Sequence, residues 1–325
     1  MINRKLIRIK TVQVVYSYCL NEGLVPADSH AQASGEFKEV CRPEQGETIL
    51  LRSLGTAYDM YNTMLCLMVE ISRLALRAHE AQANRAKRLG LSEPSRKFVD
   101  NRFMLQLEGN RQLQENRQSQ RLDWSNEEEF VRTLYKKVID SDFFCEYMES
   151  GVSSYEEDRE LWRKIYRYIL VDNEGIDSML EDVNIYWNDD RFIIDTFVLK
   201  TINRFTAESD DNHPLLPEFR TEEEMEYASK LVRQSLIGAD YYRGLISQNT
   251  RNWDVERVPL MDRVIMQVAL AEITSFPTIP LSVSINEYIE IAKSYSTPNS
   301  ARYINATLDT ISKKLIADHK LVKNA

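Results

Sequence analysis

Apolar residues recur every three or four positions along most of this chain, the spacing of one face of an α-helix. The clearest example is the last segment, with Ile304, Leu308, Ile311 and Leu315. Residues 259–274 are apolar on most sides, which is typical of a helix at the centre of a bundle. No segment shows the alternation of apolar and polar residues that a half-buried β-strand requires. The pattern therefore predicts an all-α protein.

Four sites along the chain carry the signature of a helix start. In a capping box, a serine or threonine hydroxyl accepts a hydrogen bond from the amide three residues further on. A glutamate at that third position reaches back to the amide of the cap. We therefore expect helices to begin at these boxes. The boxes start at Ser125, Ser154, Thr221 and Ser284.

The charge is distributed unevenly. The net charge of −9 speaks against a nucleic-acid partner, but residues 1–10 carry four cations and no acid. Residues 84–121 sum to +5 and residues 122–220 sum to −13. Salt screens exposed charges over about 8 Å, so a distant acidic block does not cancel a local basic patch. The N-terminus is thus a candidate phosphate-contacting element, and residues 84–121 are either an extension of an RNA path or a solubilising polar helix.

The signatures of several enzymes and metalloproteins do not occur. The ten glycines form neither a dinucleotide-binding fingerprint nor a P-loop, and no G-x-S-x-G nucleophile elbow is present. The four cysteines contain no C-x-x-C pair and the four histidines do not cluster, so we expect no metal and no cofactor. There is no apolar run of about 20 residues and no secretory signal. We therefore expect a cytoplasmic protein that does not associate with a membrane.

Several spaced motifs occur in one order, and together they resemble the NusB family of transcription antitermination factors. A basic, apolar stretch at residues 4–17 is similar to the first helix of that family. The later motifs are NWDVERV at 252–258, LMDRVI at 260–265, SINEYIEIAK at 284–293 and YINATLD at 303–309.

The resemblance implies a domain organisation, because the usual members of the family are much shorter. It predicts a NusB-like helical bundle with a large helical insertion after the first helix, as expected for long chains from the Bacteroides group. Residues 1–21 would be the first helix of the bundle, residues 22–188 the insertion, acidic in its second half, and residues 189–325 the remainder of the bundle.

The family resemblance also implies a function without catalysis. Such factors pair with NusE, a small-subunit ribosomal protein, bind single-stranded boxA-type RNA, and help to assemble an antitermination complex on RNA polymerase during rRNA transcription. The positions that match RNA-binding residues are Arg4, Lys5, Arg8 and Lys10 in the first helix and Asn299, Ser300, Arg302 and Tyr303 at the start of the last. The positions that match the partner surface are Tyr16, Asp262 and Arg263.

Two alternatives follow from the sequence. One is a scaffold that binds ribosomal or polymerase proteins with little RNA binding of its own, because an acidic block repels RNA and attracts basic proteins. The other is an enzyme, because NusB-like domains also precede some RNA cytosine methyltransferases. The chain continues into neither the glycine-rich cofactor loop nor the catalytic cysteine of those enzymes, so the enzyme is the weaker alternative.

Overall fold

The computed structural model describes residues 1–23, 43–118, 122–184, 187–249 and 258–321. Within these ranges the backbone forms fourteen α-helices, and β-structure is limited to one isolated parallel bridge between Ile2 and Phe219. The prediction of an all-α protein is confirmed. The motif at residues 252–258 lies, except for Val258, outside the described residues.

The described residues pack into two compact units. The terminal unit comprises Ile2–Gly55 and Phe219–Ala325, and the middle unit comprises Met1 and Thr56–Glu218. The helices α1 Arg4–Gly23, α10 Glu222–Ile237, α11 Ala239–Asn249, α12 Leu260–Ser275, α13 Leu281–Tyr295 and α14 Ser300–Ala317 belong to the terminal unit.

The middle unit contains a region of helices beyond the terminal bundle. A long helix, α2 Pro43–Leu89, has its first turns in the terminal unit and the rest in the middle unit. The other helices of the middle unit are α3 Arg102–Gly109, α4 Arg111–Gln118, α5 Glu128–Ile139, α6 Asp142–Glu149, α7 Tyr155–Ile165, α8 Glu174–Val183 and α9 Trp187–Arg204.

The core of the terminal unit is built around α12. This helix packs against α1, α10, α11, α13 and α14, and its side chains from Val264 to Ile273 are all buried. A helix surrounded by neighbours cannot expose one polar face, which explains why residues 259–274 are apolar on most sides. The central position that the sequence predicts for this helix is confirmed.

The core of the middle unit is rich in tryptophan. Trp124, Trp162 and Trp187 are fully buried, and two of them are held by hydrogen bonds to the backbone of α2. The indole Nε1 of Trp124 donates to the Thr63 carbonyl at 2.8 Å, and that of Trp187 donates to the Thr56 carbonyl at 2.9 Å. A buried indole needs such an acceptor, so these bonds fix the part of α2 that belongs to the middle unit.

The boundaries between the units differ from those that the sequence suggests. The division falls between residues 55 and 56, inside α2, and between residues 218 and 219. In α9, which the sequence assigns to the terminal bundle, Ile194 and Ile202 are buried, and the hydroxyls of Thr201 and Tyr61 lie 2.6 Å apart in the middle unit. The division between the two units therefore depends on contacts between residues far apart in sequence. It does not follow the positions where the resemblance to the family begins and ends.

Two of the four predicted helix starts are confirmed. The Ser154 hydroxyl accepts from the Glu157 amide at 3.2 Å, and α10 begins directly after Thr221. The other two are wrong. Ser125 lies within a short 3₁₀-helix, and Ser284 lies inside α13, where its hydroxyl donates to a buried carboxylate.

Candidate nucleic-acid interface

The four cations of α1 that the sequence assigns to RNA divide into two pairs. Arg4 and Lys5 in the first turn are exposed, whereas Arg8 is 3% exposed and Lys10 is 1% exposed. After its first turn, α1 is enclosed by α10 and α12 and buries most of its side chains. The basic surface of this helix is therefore its first turn.

Arg8 is held inside the terminal unit by Glu272 of α12. Its Nε donates to Glu272 Oε2 at 2.7 Å and its Nη2 donates to Oε1 at 3.0 Å. The same carboxylate accepts hydrogen bonds from the hydroxyls of Tyr227, Ser284 at 2.7 Å and Tyr288 at 3.1 Å. Glu272 therefore joins four helices, and a phosphate contact by Arg8 would require this ion pair to break.

The charges of this pair stabilise each other. Burial by itself lowers the pKa of Arg8, but the hydrogen bond and the charge of Glu272 raise it above its ordinary value. Burial by itself raises the pKa of Glu272, and the hydrogen bond and charge of Arg8 lower it below its ordinary value. Burial, followed by the negative charge of Glu272, raises the pKa of the Tyr227 and Tyr288 hydroxyls. The pair stays ionised and both hydroxyls stay protonated near neutral pH.

The second predicted RNA region lines a cavity of about 650 Å³ at the start of α14. Asn299 and Arg302 are exposed there, and Tyr303 is half-buried. The helix begins at Ser300, so its free amide groups and the positive end of its dipole lie at the cavity. The cavity thus combines a guanidinium, an aromatic ring and helix-terminal amides, which suit a phosphate and an unpaired base.

Ser300 has a different place from its neighbours. It is 2% exposed, and its hydroxyl lies 2.7 Å from the Thr297 hydroxyl and 3.0 Å from the Ser296 hydroxyl. The Ser296 hydroxyl in turn donates to Asp262 on α12. This chain of hydroxyls joins the loop before α14 to α12 and shapes the wall of the cavity.

The positions that match a partner surface also differ in exposure. Asp262 is 2% exposed and lines the cavity, whereas Arg263 beside it and Tyr16 on α1 are half-buried. Asp262 thus has a structural contact with Ser296 in this structure. Its place in the first turn of α12 also favours an acid, since the amino end of a helix attracts negative charge.

Sequence reasoning missed part of the cavity. Val258 and Pro259 before α12, Thr297 in the loop and Ala306 on α14 complete the lining. Small and apolar side chains carry no chemical signature of their own. The sequence does show that residues 258–262 and residues 297–306 each flank the start of a helix. Only folding brings these two segments together around the cavity.

Similarity to known proteins defines the class of this domain. Residues 196–313 match the sequence model of the NusB family. The sequence of this segment is therefore similar to the NusB family, which confirms the resemblance seen in its motifs. The matched segment contains the second half of α9, the whole of α10 to α13 and α14 up to residue 313, and α1 lies outside it.

Individual relatives agree with this assignment. The chain is 41% identical over 76 residues to the transcription antitermination protein NusB of Koribacter versatilis, covering 23% of this chain and 52% of that protein. It is 37% identical over 95 residues to the protein of that name from Symbiobacterium thermophilum, covering 29% and 62%. With the protein from Salinibacter ruber it shares 35% identity over 86 residues, covering 26% and 54%.

The matches are partial on both sides. The chain spans between 52% and 62% of the length of these three relatives. A solved structure of NusB from T. maritima is 28% identical, covers 41% of this chain and 86% of that one, and has a TM-score of 0.30. None of the helices formed by the described residues is long and apolar enough to cross a bilayer.

Proposed function

We propose that this protein is a bacterial, cytoplasmic RNA-binding factor in transcription antitermination, acting by binding and without catalysis. In this proposal it pairs with NusE, binds boxA-type single-stranded RNA, and helps to assemble an antitermination complex on RNA polymerase that supports rRNA transcription. The observation that carries the proposal is the cavity at the start of α14, which lies within a segment that matches the NusB family.

The proposed RNA surface consists of the exposed residues among those that the sequence identified, together with the half-buried Tyr303. Arg4 and Lys5 would contact phosphate oxygens, and Arg302 would do so beside the amino end of α14. Tyr303 would stack on an unpaired base, an interaction worth about 1–3 kcal/mol. Asn299 would lie at the mouth of the cavity and accept a neighbouring phosphate without charge repulsion.

The buried members of the predicted set have a supporting role in this proposal. Arg8 holds α1 against α12 through Glu272, and Ser300 holds the loop before α14. Lys10 is buried in the same helix as Arg8. Tyr16 and Arg263 would face NusE, and Asp262 would shape the cavity at the start of α14 through its contact with Ser296.

The first test is a titration of a fluorescent boxA-type RNA with the full chain, with and without NusE, at several salt concentrations. Each phosphate contact on a single strand contributes about 0.7 to the slope of log affinity against log salt. A variant with Arg4→Gln and Lys5→Gln should reduce the slope by about 1.4 in total. A control with Lys313→Gln and Lys320→Gln removes two exposed cations from the same unit and should leave the slope unchanged.

Binding of NusE and RNA should be coupled. Since linkage is reciprocal, RNA should tighten the protein pair by the factor by which NusE tightens RNA binding. Tyr303→Leu should weaken RNA binding about tenfold or more, while Tyr303→Phe should retain it because the ring remains. Absence of RNA binding in every mixture would overturn the RNA role.

A second candidate is a scaffold that binds basic ribosomal or polymerase proteins. Two of the four cations of α1 are buried, and residues 122–220, of which all but the last two belong to the middle unit, have a net charge of −13. Both features reduce attraction to RNA and favour a basic protein partner. Formation of a complex with NusE in a mixture that binds no RNA would favour this candidate.

A further inference from the structure

The two halves of α2 within the middle unit differ in burial. All side chains from Met60 to Ser72 are buried, so this part of the helix lies in the core. From Leu76 to Leu89 only Ala86 is buried and Ala78, His79 and Ala83 are half-buried, so the last turns present most of their side chains to solvent. A helix end that packs little against its own unit offers a surface to another molecule.

This exposed end is basic. Arg85, Lys87 and Arg88 lie within four residues, and no acidic residue occurs between Ala81 and Ser92. None of the three cations forms an ion pair with a described residue. The charge of the cluster is therefore not neutralised by the described part of the protein.

The cations on either side of the cluster behave differently. Arg77, two turns earlier, pairs with Glu70 at 3.4 Å, and Arg96, in the loop that follows, pairs with Asp100 at 2.7 Å. The helix dipole favours cations in the last turn, which accounts for Lys87 and Arg88 in part. It does not account for Arg85, since the effect falls off within that turn.

The chemistry of the cluster fits a polyanion better than a protein. Protein interfaces depend on buried aromatic anchors and are poor in lysine, and no Phe, Tyr or Trp occurs from residue 76 to 97. Gln82 and Asn84 add exposed amide groups beside the cations. Guanidinium, ammonium and amide groups together donate hydrogen bonds to phosphate oxygens.

We propose that the exposed end of α2, through Arg85, Lys87 and Arg88, is a second phosphate-binding surface for single-stranded RNA. This inference rests on the proposed RNA-binding function and assigns part of it to the middle unit. It supplies cations that the burial of Arg8 and Lys10 removes from the surface of α1. The surface would hold the backbone of the RNA and would read no bases.

The test compares two triple variants of the full chain in the same RNA titration. The first is Arg85→Gln, Lys87→Gln and Arg88→Gln, and glutamine keeps the helix propensity close to that of the original residues. The control is Arg132→Gln, Lys136→Gln and Lys137→Gln, which removes three exposed cations from α5 of the same unit. Both variants change the net charge equally, although Arg132 of the control forms an ion pair with Glu128 and the three cations replaced in the α2 variant form none with a described residue.

We expect the α2 variant to reduce the slope of log affinity against log salt by about 2, since three contacts contribute about 0.7 each. The control variant should retain the slope of the wild type. The wild type should bind an RNA that extends beyond the boxA element more tightly than the boxA element alone. The α2 variant should lose this gain in affinity. Circular dichroism should give the same helix content for all three proteins.

The outcomes separate this inference from the proposed function. The inference alone would be overturned if both triple variants bind RNA as the wild type does and the variant with Arg4→Gln and Lys5→Gln does not. A reduced affinity for an acidic protein partner with an unchanged RNA slope would also overturn it. No RNA binding by the wild type would overturn the proposed function, and this inference with it.

Discussion

Arg8 on α1 and Glu272 on α12 form a buried ion pair across 264 positions of the chain, with a 2.7 Å bond from Nε to Oε2 and a 3.0 Å bond from Nη2 to Oε1. The carboxylate is fully buried and also accepts hydrogen bonds from three hydroxyls. Its partners come from three other helices, so one side chain joins α1, α10 and α13 to the central helix. This pair makes the basic first helix an integral part of the terminal unit.

Removal of Arg8 should destabilise the protein strongly. Arg8→Leu leaves the Glu272 carboxylate buried without its cation, and breaking such a pair costs about 3–5 kcal/mol. The loss should appear in the free energy of unfolding measured with urea. Arg4→Leu, which removes an exposed cation 5.0 Å from the Tyr227 ring, should cost about 1 kcal/mol or less. A similar loss in both variants would contradict the structural role of Arg8.

The same pair predicts how stability depends on pH. In the folded protein the pKa of Glu272 is lowered from its ordinary value of about 4.5. The stability that the ionised carboxylate contributes is therefore complete above the pKa of the unfolded chain, and it is lost as the pH falls through the lower pKa of the folded protein. Wild type should therefore lose stability more steeply below about pH 4.5 than Glu272→Gln does. Thermal unfolding at a series of acid pH values measures this difference. Parallel curves for the two proteins would show that Glu272 contributes nothing to the slope.

Two glycines in helices of the terminal unit should respond differently to alanine. A Cβ on Gly244 meets nothing within 4 Å, so Gly244→Ala should raise the free energy of unfolding by about 0.5–1 kcal/mol. A Cβ on Gly46 would lie 2.4 Å from Leu236 Cδ1, so that side chain must move and the gain is reduced or reversed. Urea unfolding of both variants measures the contrast. An equal gain at both positions would show that the contact between Gly46 and Leu236 is not close.

Asn299 should influence RNA binding through its lack of charge. It is exposed directly before α14, at the cavity that we assign to RNA. A carboxylate there would repel phosphate, so Asn299→Asp should weaken RNA binding a few-fold, about 1 kcal/mol or less in a solvated site. The control is Asn126→Asp, an equal change of charge at an exposed position of the middle unit. Binding by Asn299→Asp as tight as that of wild type would refute this assignment.

The periodicity of apolar residues was enough to predict the fold class. Helices such as α12 and α14 repeat their apolar positions over four or more turns, and that signal depends only on neighbours in sequence. The motifs from residue 260 onward were also sufficient for recognising the similarity to the NusB family, whose sequence model matches residues 196–313. Local sequence determined which segments are helical and which family they resemble.

Burial of the polar residues was not predictable in the same way. Arg4 and Arg8 lie one turn apart on one face of α1, yet the first is exposed and the second is buried, because Arg8 is paired with the buried Glu272 of α12. Ser284 resembles a helix cap but donates to Glu272 from inside α13. In both cases the deciding partner is supplied by another helix.

The sequence by itself determined the helical class and the similarity of residues 196–313 to the NusB family, and it suggested the candidate RNA-binding positions. Tertiary structure alone decided that Arg8, Lys10, Ser300 and Asp262 are buried, that the division between the units falls inside α2, and that Arg85, Lys87 and Arg88 are exposed. The physical reason is that helix formation depends on residues three or four positions apart, whereas burial and ion pairing depend on residues that only folding brings together.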